Sequence, residues 1–453
     1  MPSAHDQGGA TARLAAFTWQ LAFDRLPAPT VHAARRAIVN IVGCCLGGAG
    51  HETVQTVGNA LLPLGGTGTA TLIGSGRRTD PLTAALVNCL GSAAYAFDDT
   101  HSQTILHPSG AVATAVLALA DERDLSGAQF VAAFVAGVEV ASRASKAVAT
   151  APAACDIGWS QTGITAGIGA AAAAAKALGL DARGIEQAIG IAAIQSSGLR
   201  IAHGTMSSTY IFGHAGQCGL RAALLAQAGL GGPAASLEGA HGFLQLFSDH
   251  PHAPYLTDGL GTAFEVESLT YKPYPYGIVV HPAIDAALQW LSRHGNVDAI
   301  RSIELQVHGN GLTLGARRHP TTPLEAKVSL CHGIAATLVF GRAGLAEVDL
   351  PAIGDARVAR LREIIELAPG EIAPEAARLT VGLADGARHT VEVSHCRGSI
   401  DNPMSDEDLT EKFMGQALLR LKPPQASALA GLCWRVDELA QVRELLASTR
   451  PAA

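Results

Sequence analysis

From Ala96 to Gly110 the chain runs Ala-Phe-Asp-Asp-Thr-His-Ser-Gln-Thr-Ile-Leu-His-Pro-Ser-Gly. Asp98, Asp99, Thr100, His101 and His107 therefore fall within ten residues, between two Ala-rich runs that read as buried helices. So many polar groups in one break of an apolar pattern are costly to bury unless they bond one another or a ligand. A capping turn needs only one or two of them, and Pro108-Ser109 already supplies a helix start over Ala111–Ala120. Capping remains the plain alternative to a polar site in which helix N–H groups attract a substrate carboxylate.

The elements that must position such a site are mostly helical. Helices are predicted for 26–46 (ending at Gly47-Gly48), 80–97, 108–121, 127–148, 162–178, 182–194 and 214–229, with no convincing strand before about residue 265. The Ala- and Gly-rich run from Thr162 should lie at the centre of the helical core. Strand alternation appears at 264–272, 303–308, 379–383 and 389–393, the last two joined by Ala384-Asp-Gly-Ala as a hairpin turn. Helices at 282–293, 324–340 and 355–367 fall between the strands, and helices return from Ser405. The expected fold is mainly α: a large all-helical domain formed by both chain ends (1–264 with 396–453), plus a smaller α+β lid domain (265–395). A chain of 453 residues fits two cores better than one.

Composition excludes several function classes. A net charge of −7, a pI near 6.2 and no Lys/Arg-rich tract argue against a nucleic-acid partner. Apolar runs are broken before about 20 residues, which argues against a membrane span, and the polar start Met1–Arg13 predicts no signal peptide. The cysteines, at 44, 45, 89, 155, 218, 331, 396 and 433, show neither metal-ligand spacing nor a disulfide framework. They fit small buried hydrophobes in a reducing cytoplasm, with Cys396 beside Arg397 the one candidate for an exposed, reactive thiol against that reading. Gly47-Gly-Ala-Gly50 and Gly229-Leu-Gly-Gly232 follow helices, not strands, and read as turns instead of nucleotide loops.

Phe97-Asp-Asp-Thr100 with His107-Pro-Ser-Gly110 resembles the MmgE/PrpD family. Further similar segments follow in order: Gly158-Trp-Ser-Gln-Thr-Gly163, Ser197-Gly-Leu, Gly204-Thr-Met206, His214-Ala-Gly216, Lys272-Pro-Tyr-Pro275 with His281-Pro282, Pro323-Leu-Glu-Ala-Lys-Val-Ser-Leu330, Arg397-Gly-Ser, Asn402-Pro-Met-Ser405 and Glu411-Lys-Phe413. The resemblance implies a helical body with an α+β lid, an active site between them, a homodimer and no cofactor. It implies a lyase or isomerase acting on a small di- or tricarboxylate, with dehydration of 2-methylcitrate as the leading expectation. Decarboxylation of cis-aconitate, epimerisation of iminodisuccinate and a degenerate carboxylate-binding member are its alternatives. Carried over by residue, the family's Thr, His and Lys are Thr100, His107 and Lys272. The chain departs at Ala96, where several members have Asp, at Ser160 for a His, after Met206, where a Lys is missing and 207–213 is longer, at Gly277 for a His, and at His332 for a Tyr.

These activities need cations to hold carboxylates and a group that moves a proton near neutrality. His107 is the expected acid/base, oriented by Asp98 and Asp99, with Thr100 as a hydrogen-bond partner in the site and His101 able to replace a lost group. Lys272 and Arg200 are the expected carboxylate anchors, with His203, Ser160, Ser208, His281 and His332 as further substrate contacts. The principal candidates have plain structural alternatives: a core His satisfied by a carbonyl for His107, a buried, satisfied His for His332, a mere helix-N-terminal residue for His281, a bracing role for Asp99, a solvent-facing or supporting role for His101, a surface lysine for Lys272, and a salt bridge for Arg200. Arg397 is expected to fasten the lid to the body.

Overall fold

The computed structural model describes residues 8–65 and 68–451, and the chain is mainly helical. Its centre is the helix Gly167–Ala177, prefaced by a π turn at Thr162–Ala166; every residue from Thr162 to Ala175 is buried. Small residues make this possible. A Cβ at Gly169 would stand 2.3 Å from the Gly137 carbonyl oxygen, and one at Gly219 would stand 2.4 Å from the Ala170 Cβ. The helices Gly127–Ala149 and Met206–Gln227 therefore cross the central helix with their backbones in near contact, a packing that larger side chains would force apart.

The other helices match the expected spans closely: Ala28–Gly48, Pro81–Ala93 capped by the Asp80 side chain, Ser109–Ala120 and Ala182–Ala193. The C-terminal helices Asp406–Ala417 and Pro423–Trp434 return to the Ala28–Gly48 helix, burying Leu409, Phe413, Leu429 and Cys433 in one cluster with Ile38, Ile41 and Val42. A separate cluster gathers Tyr276, Trp290, Ile303, Leu305, Ile334, Leu361, Leu379 and Val391. It joins the helices His281–His294 and Leu330–Phe340 to a four-stranded sheet of order 365–369, 300–307, 377–383, 388–393. The hairpin between the last two strands turns at Gly386, in the left-handed region at φ 87°.

Four local expectations are corrected. Strands do occur before residue 265: Ala70–Thr71 pairs with Arg78–Thr79, and Asp99–His101 is a strand. The alternating run 264–272 is a strand only over Leu269–Tyr271, after a 3-10 turn at Glu265–Ser268. The helix expected over 355–367 stops at Glu363, and Ile365–Pro369 is a strand parallel to 300–307; its short apolar run carries no period that separates the two states. The helix expected from His214 begins at Met206, so residues 207–213 form its first turns.

Candidate functional site

The site is built by one short ladder. Strand Asp99–His101 pairs antiparallel with Leu269–Tyr271 in the register Asp99↔Tyr271, Thr100↔Thr270, His101↔Leu269. One step beyond the ladder, Asp98 meets Lys272, and the Lys272 Nζ donates to Asp98 Oδ1 at 2.7 Å. Successive side chains alternate between faces, so Asp98, Thr100 and Lys272 share one face, while Asp99 and His101 turn to the other. Gly398 buttresses the return: at φ 90°, a Cβ there would lie 2.0 Å from the Tyr271 carbonyl oxygen. That close approach accounts for the glycine in Arg397-Gly-Ser. Arg397 itself donates to Asp408 at 2.6 Å on helix Asp406–Ala417, and its backbone N–H donates to Asp285 at 2.6 Å. Arg397 thus ties helix His281–His294 to helix Asp406–Ala417.

His107 stands over the Asp98 face. Its Nδ1 lies 2.6 Å from the Asp99 carbonyl oxygen, 3.1 Å from Thr100 Oγ1, 3.4 Å from Lys272 Nζ and 3.5 Å from Asp98 Oδ2. A carbonyl oxygen only accepts, so Nδ1 carries the hydrogen and the lone pair of a neutral ring lies on Nε2. No described hydrogen bond engages Nε2. The backbone of His107 is held by Thr162 Oγ1 at 3.0 Å, from the π turn, and its ring packs against Phe212; π turns are often placed at functional sites. Burial, then the Lys272 charge, push the imidazole down to about 4, against Asp98 and the Asp99 carbonyl. Burial alone would raise the Asp98 carboxyl, but the Lys272 ammonium and His107 outweigh it and hold it below the ordinary carboxylate range. The free site thus holds a neutral imidazole beside a Lys–Asp ion pair.

Asp98, His107 and Lys272 line a cavity of about 130 Å³ with Ala96, His203, Gly204, Thr205, Ser208, Thr209, Phe212, Gly277 and Lys327. Four larger cavities, of about 500, 430, 340 and 280 Å³, do not contain the His107–Lys272 pair. The helix start that opens on the 130 Å³ cavity is that of Met206–Gln227, whose N-cap Thr205 makes no side-chain cap bond. Its free N–H groups and dipole favour an anion there; the start of Ser109–Ala120, expected in that role, does not line it. Segment 207–213 contributes Ser208, Thr209 and Phe212 to the wall.

The remaining sequence candidates divide plainly. His203 and Ser208 line the cavity. Asp99 lies beneath it, bonded by Ser109 at 2.5 Å and pushed up to about 7 by burial. His101 is fully buried on the far face, with Nε2 2.9 Å from Glu265, itself bonded by Lys146 at 2.8 Å. Both brace the ladder instead of facing the cavity, because the pleat turns them away. Ser160 accepts the Gly163 N–H at 3.2 Å and opens the π turn. Arg200 donates to the Trp159 carbonyl at 3.2 Å, outside the cavity wall and without an acidic partner among the described residues. His281 and His332 are fully buried on the helices His281–His294 and Leu330–Phe340, their Nε2 atoms on the carbonyls of Tyr276 at 3.1 Å and Glu347 at 2.8 Å. Cys396 is buried too, and burial pushes its thiol up to about 12, so the one candidate for a reactive thiol is a buried one.

The His281 and His332 placements predict acid lability. Burial pushes His281 down to about 3 and His332 to about 4, from 6.5. Unfolding below pH 6.5 therefore takes up protons that the native state refuses, so stability present above that pH is lost as pH falls toward 4. Chemical denaturation between pH 7 and 4.5 should show this slope, and His332→Gln should flatten it; an unchanged slope would refute the assignment.

Two lysines and one strained residue were missed. Lys327 donates to the Ala94 carbonyl at 2.7 Å, and Lys412 to the Phe97 carbonyl at 2.6 Å. Between those carbonyls Ala96 sits at φ 54°, left-handed and facing the cavity. An isolated lysine inside an apolar run, as in Ala326-Lys-Val328, was the available signal; left-handed backbone at an alanine leaves none. Ala96→Gly should stabilise the protein by about 0.5–1 kcal/mol, since glycine takes this φ without steric cost. A lower melting temperature would contradict the strain.

The chain matches the MmgE/PrpD N-terminal domain over residues 12–255 and the MmgE/PrpD C-terminal domain over 274–435. It is 25% identical to the cis-aconitate decarboxylase of Aspergillus terreus, covering 97% of this chain and 96% of that protein. It is 25% identical to the cis-aconitate decarboxylase-like protein oryM of Aspergillus oryzae, covering 97% of each, and 26% identical to the human cis-aconitate decarboxylase, covering 80% and 78%. No described helix is long and apolar enough to cross a membrane. With a mainly helical fold, the ladder-borne His107–Lys272 pair and both family domains in order, this chain belongs to the MmgE/PrpD family.

Proposed function

We propose that the protein is a lyase acting on a small polycarboxylate, and that it decarboxylates cis-aconitate or a close analogue. The relatives that cover nearly the whole chain carry that activity in their names, which favours it over the dehydration of 2-methylcitrate expected from sequence. The observation that carries the proposal is the imidazole of His107, tied through Nδ1 to the Asp99 carbonyl and placed 3.4 Å from an ammonium in a small cavity. Dehydration needs both a base for carbon and an acid for hydroxide. Decarboxylation needs anion binding and one proton, which this site supplies more simply.

The bound trianion reverses the electrostatics that keep His107 neutral, and raises its affinity for a proton. In the reaction the C–C bond to one carboxylate breaks and CO₂ leaves. The electron pair is delocalised over the adjoining alkene and carboxylate, beside Lys272. The His107 imidazolium then gives its proton to carbon and returns to the neutral form. The sum is trianion plus proton to dianion plus CO₂. Purified protein incubated with cis-aconitate, 2-methylcitrate or iminodisuccinate and followed by NMR should form itaconate and CO₂ from the first. Turnover confined to either of the others would overturn the proposal.

A further inference from the structure

The turn Ala94–Asp98 is held by three lysines from separate elements. Lys272 meets Asp98, Lys412 meets the Phe97 carbonyl, and Lys327 meets the Ala94 carbonyl. They are not equivalent. Lys272 is neutralised by its carboxylate at 2.7 Å. Lys412 lies behind the turn and does not line the cavity. Lys327 lines the cavity, is only 5% exposed, and makes no ion pair with any described acid. Its other neighbour is the face of Tyr95, 5.1 Å from the ring centre. Burial alone pushes this ammonium down, to about 8, with no anion opposing it.

A buried ammonium satisfied by one neutral carbonyl and a ring face is poorly compensated, and an entering carboxylate would offset the cost. Its position is fixed: Lys327 follows the short helix Pro323–Ala326, and its carbonyl accepts the Gly277 N–H at 2.8 Å. Asp98 and Lys272 cancel, and burial pushes both cavity imidazoles, His107 and His203, down to about 4. At neutral pH the uncompensated charge on the cavity wall is therefore that of Lys327.

We infer that Lys327 is a substrate anchor, whose ammonium leaves the Ala94 carbonyl for a carboxylate remote from the reacting carbon, so that the site selects di- and tricarboxylates over monocarboxylates. The inference rests on the polycarboxylate reading above and adds the residue that enforces it. It also accounts for the missing lysine after Met206, since the positive charge enters from the lid side instead.

Calorimetry with tricarballylate, a saturated tricarboxylate that cannot lose CO₂ through the alkene, tests binding apart from turnover. Ligand-observed NMR with butyrate supplies the monoanion control. Lys327→Gln keeps a donor for the Ala94 carbonyl but removes the charge, and Lys327→Met removes both. Tricarballylate affinity should fall about 30-fold in each folded variant, the scale of one charge-assisted hydrogen bond, with butyrate affinity unchanged. Unchanged tricarballylate affinity in Lys327→Gln, with cis-aconitate still turned over by the wild type, would overturn this inference alone. Equal losses for butyrate and tricarballylate would overturn the selectivity. Failure of the wild type to bind tricarballylate would remove the polycarboxylate reading together with it.

Discussion

His107→Asn should lower kcat by about 10³-fold while leaving the fold intact, the scale of losing a positioned proton donor. Asn is the informative substitution because its side-chain amide can still donate to the Asp99 carbonyl, the bond that now holds Nδ1 at 2.6 Å. It cannot shuttle a proton. The imidazole is held near 4 in the free site, so only a small fraction is charged at neutrality. Because kcat/KM reports the free enzyme, it should fall about tenfold per pH unit from pH 5.5 to 7.5, whereas kcat should stay level to higher pH as the bound trianion raises the same group. Calorimetry in buffers of different ionisation enthalpy should show proton uptake on binding tricarballylate, which is not turned over, by the wild type but not by His107→Asn. Residual kcat within tenfold of wild type, or no difference in proton uptake, would remove His107 from the chemistry.

What the sequence disclosed and what it withheld follow from distance along the chain. The polar cluster Asp98–His107 stood out because five polar groups interrupt apolar helices, and the central Ala/Gly helix announced itself by side-chain size. Lys272 entered by resemblance, and its role as partner of Asp98 was invisible because a strand of three residues gives almost no alternation to read. That same short ladder decides which face each residue takes. Asp99 and His101 look as chemical as Asp98 and Thr100 in the sequence, yet the pleat sends them to Ser109 and Glu265. His332 and His281 illustrate the opposite error: an imidazole in an apolar helix resembles a functional group until a carbonyl of Glu347 or Tyr276 is found to satisfy it. Lys327 was hidden because its partner, Ala94, lies 233 residues away and is a backbone carbonyl that no side-chain pattern marks.

The Lys272–Asp98 pair separates stability from catalysis if both members are changed. Lys272→Met leaves the Asp98 carboxylate buried without its ammonium, and Asp98→Asn leaves the ammonium without its carboxylate. Each single variant should lose about 3–5 kcal/mol, the usual cost of breaking a buried pair. The Asp98 contribution to the pH dependence should change sign in Lys272→Met. In the wild type the Asp98 carboxyl is held low, so its contribution is present above 3.8 and lost as pH falls. Without Lys272, burial raises that carboxyl above its unfolded value, so its contribution in the variant grows as pH falls and should offset part of the acid loss set by His281 and His332. The double variant Lys272→Met/Asp98→Asn removes both charges and should recover stability to within about 1 kcal/mol of wild type, since a buried pair adds little over a neutral replacement. Its kcat should nonetheless stay down by about 10²–10³-fold, because the cation beside the developing carbanion is gone. Denaturant titrations and turnover of cis-aconitate on the four proteins give the full cycle. A double variant that regains both stability and turnover would make the pair a structural clamp and leave the chemistry to His107 without Lys272.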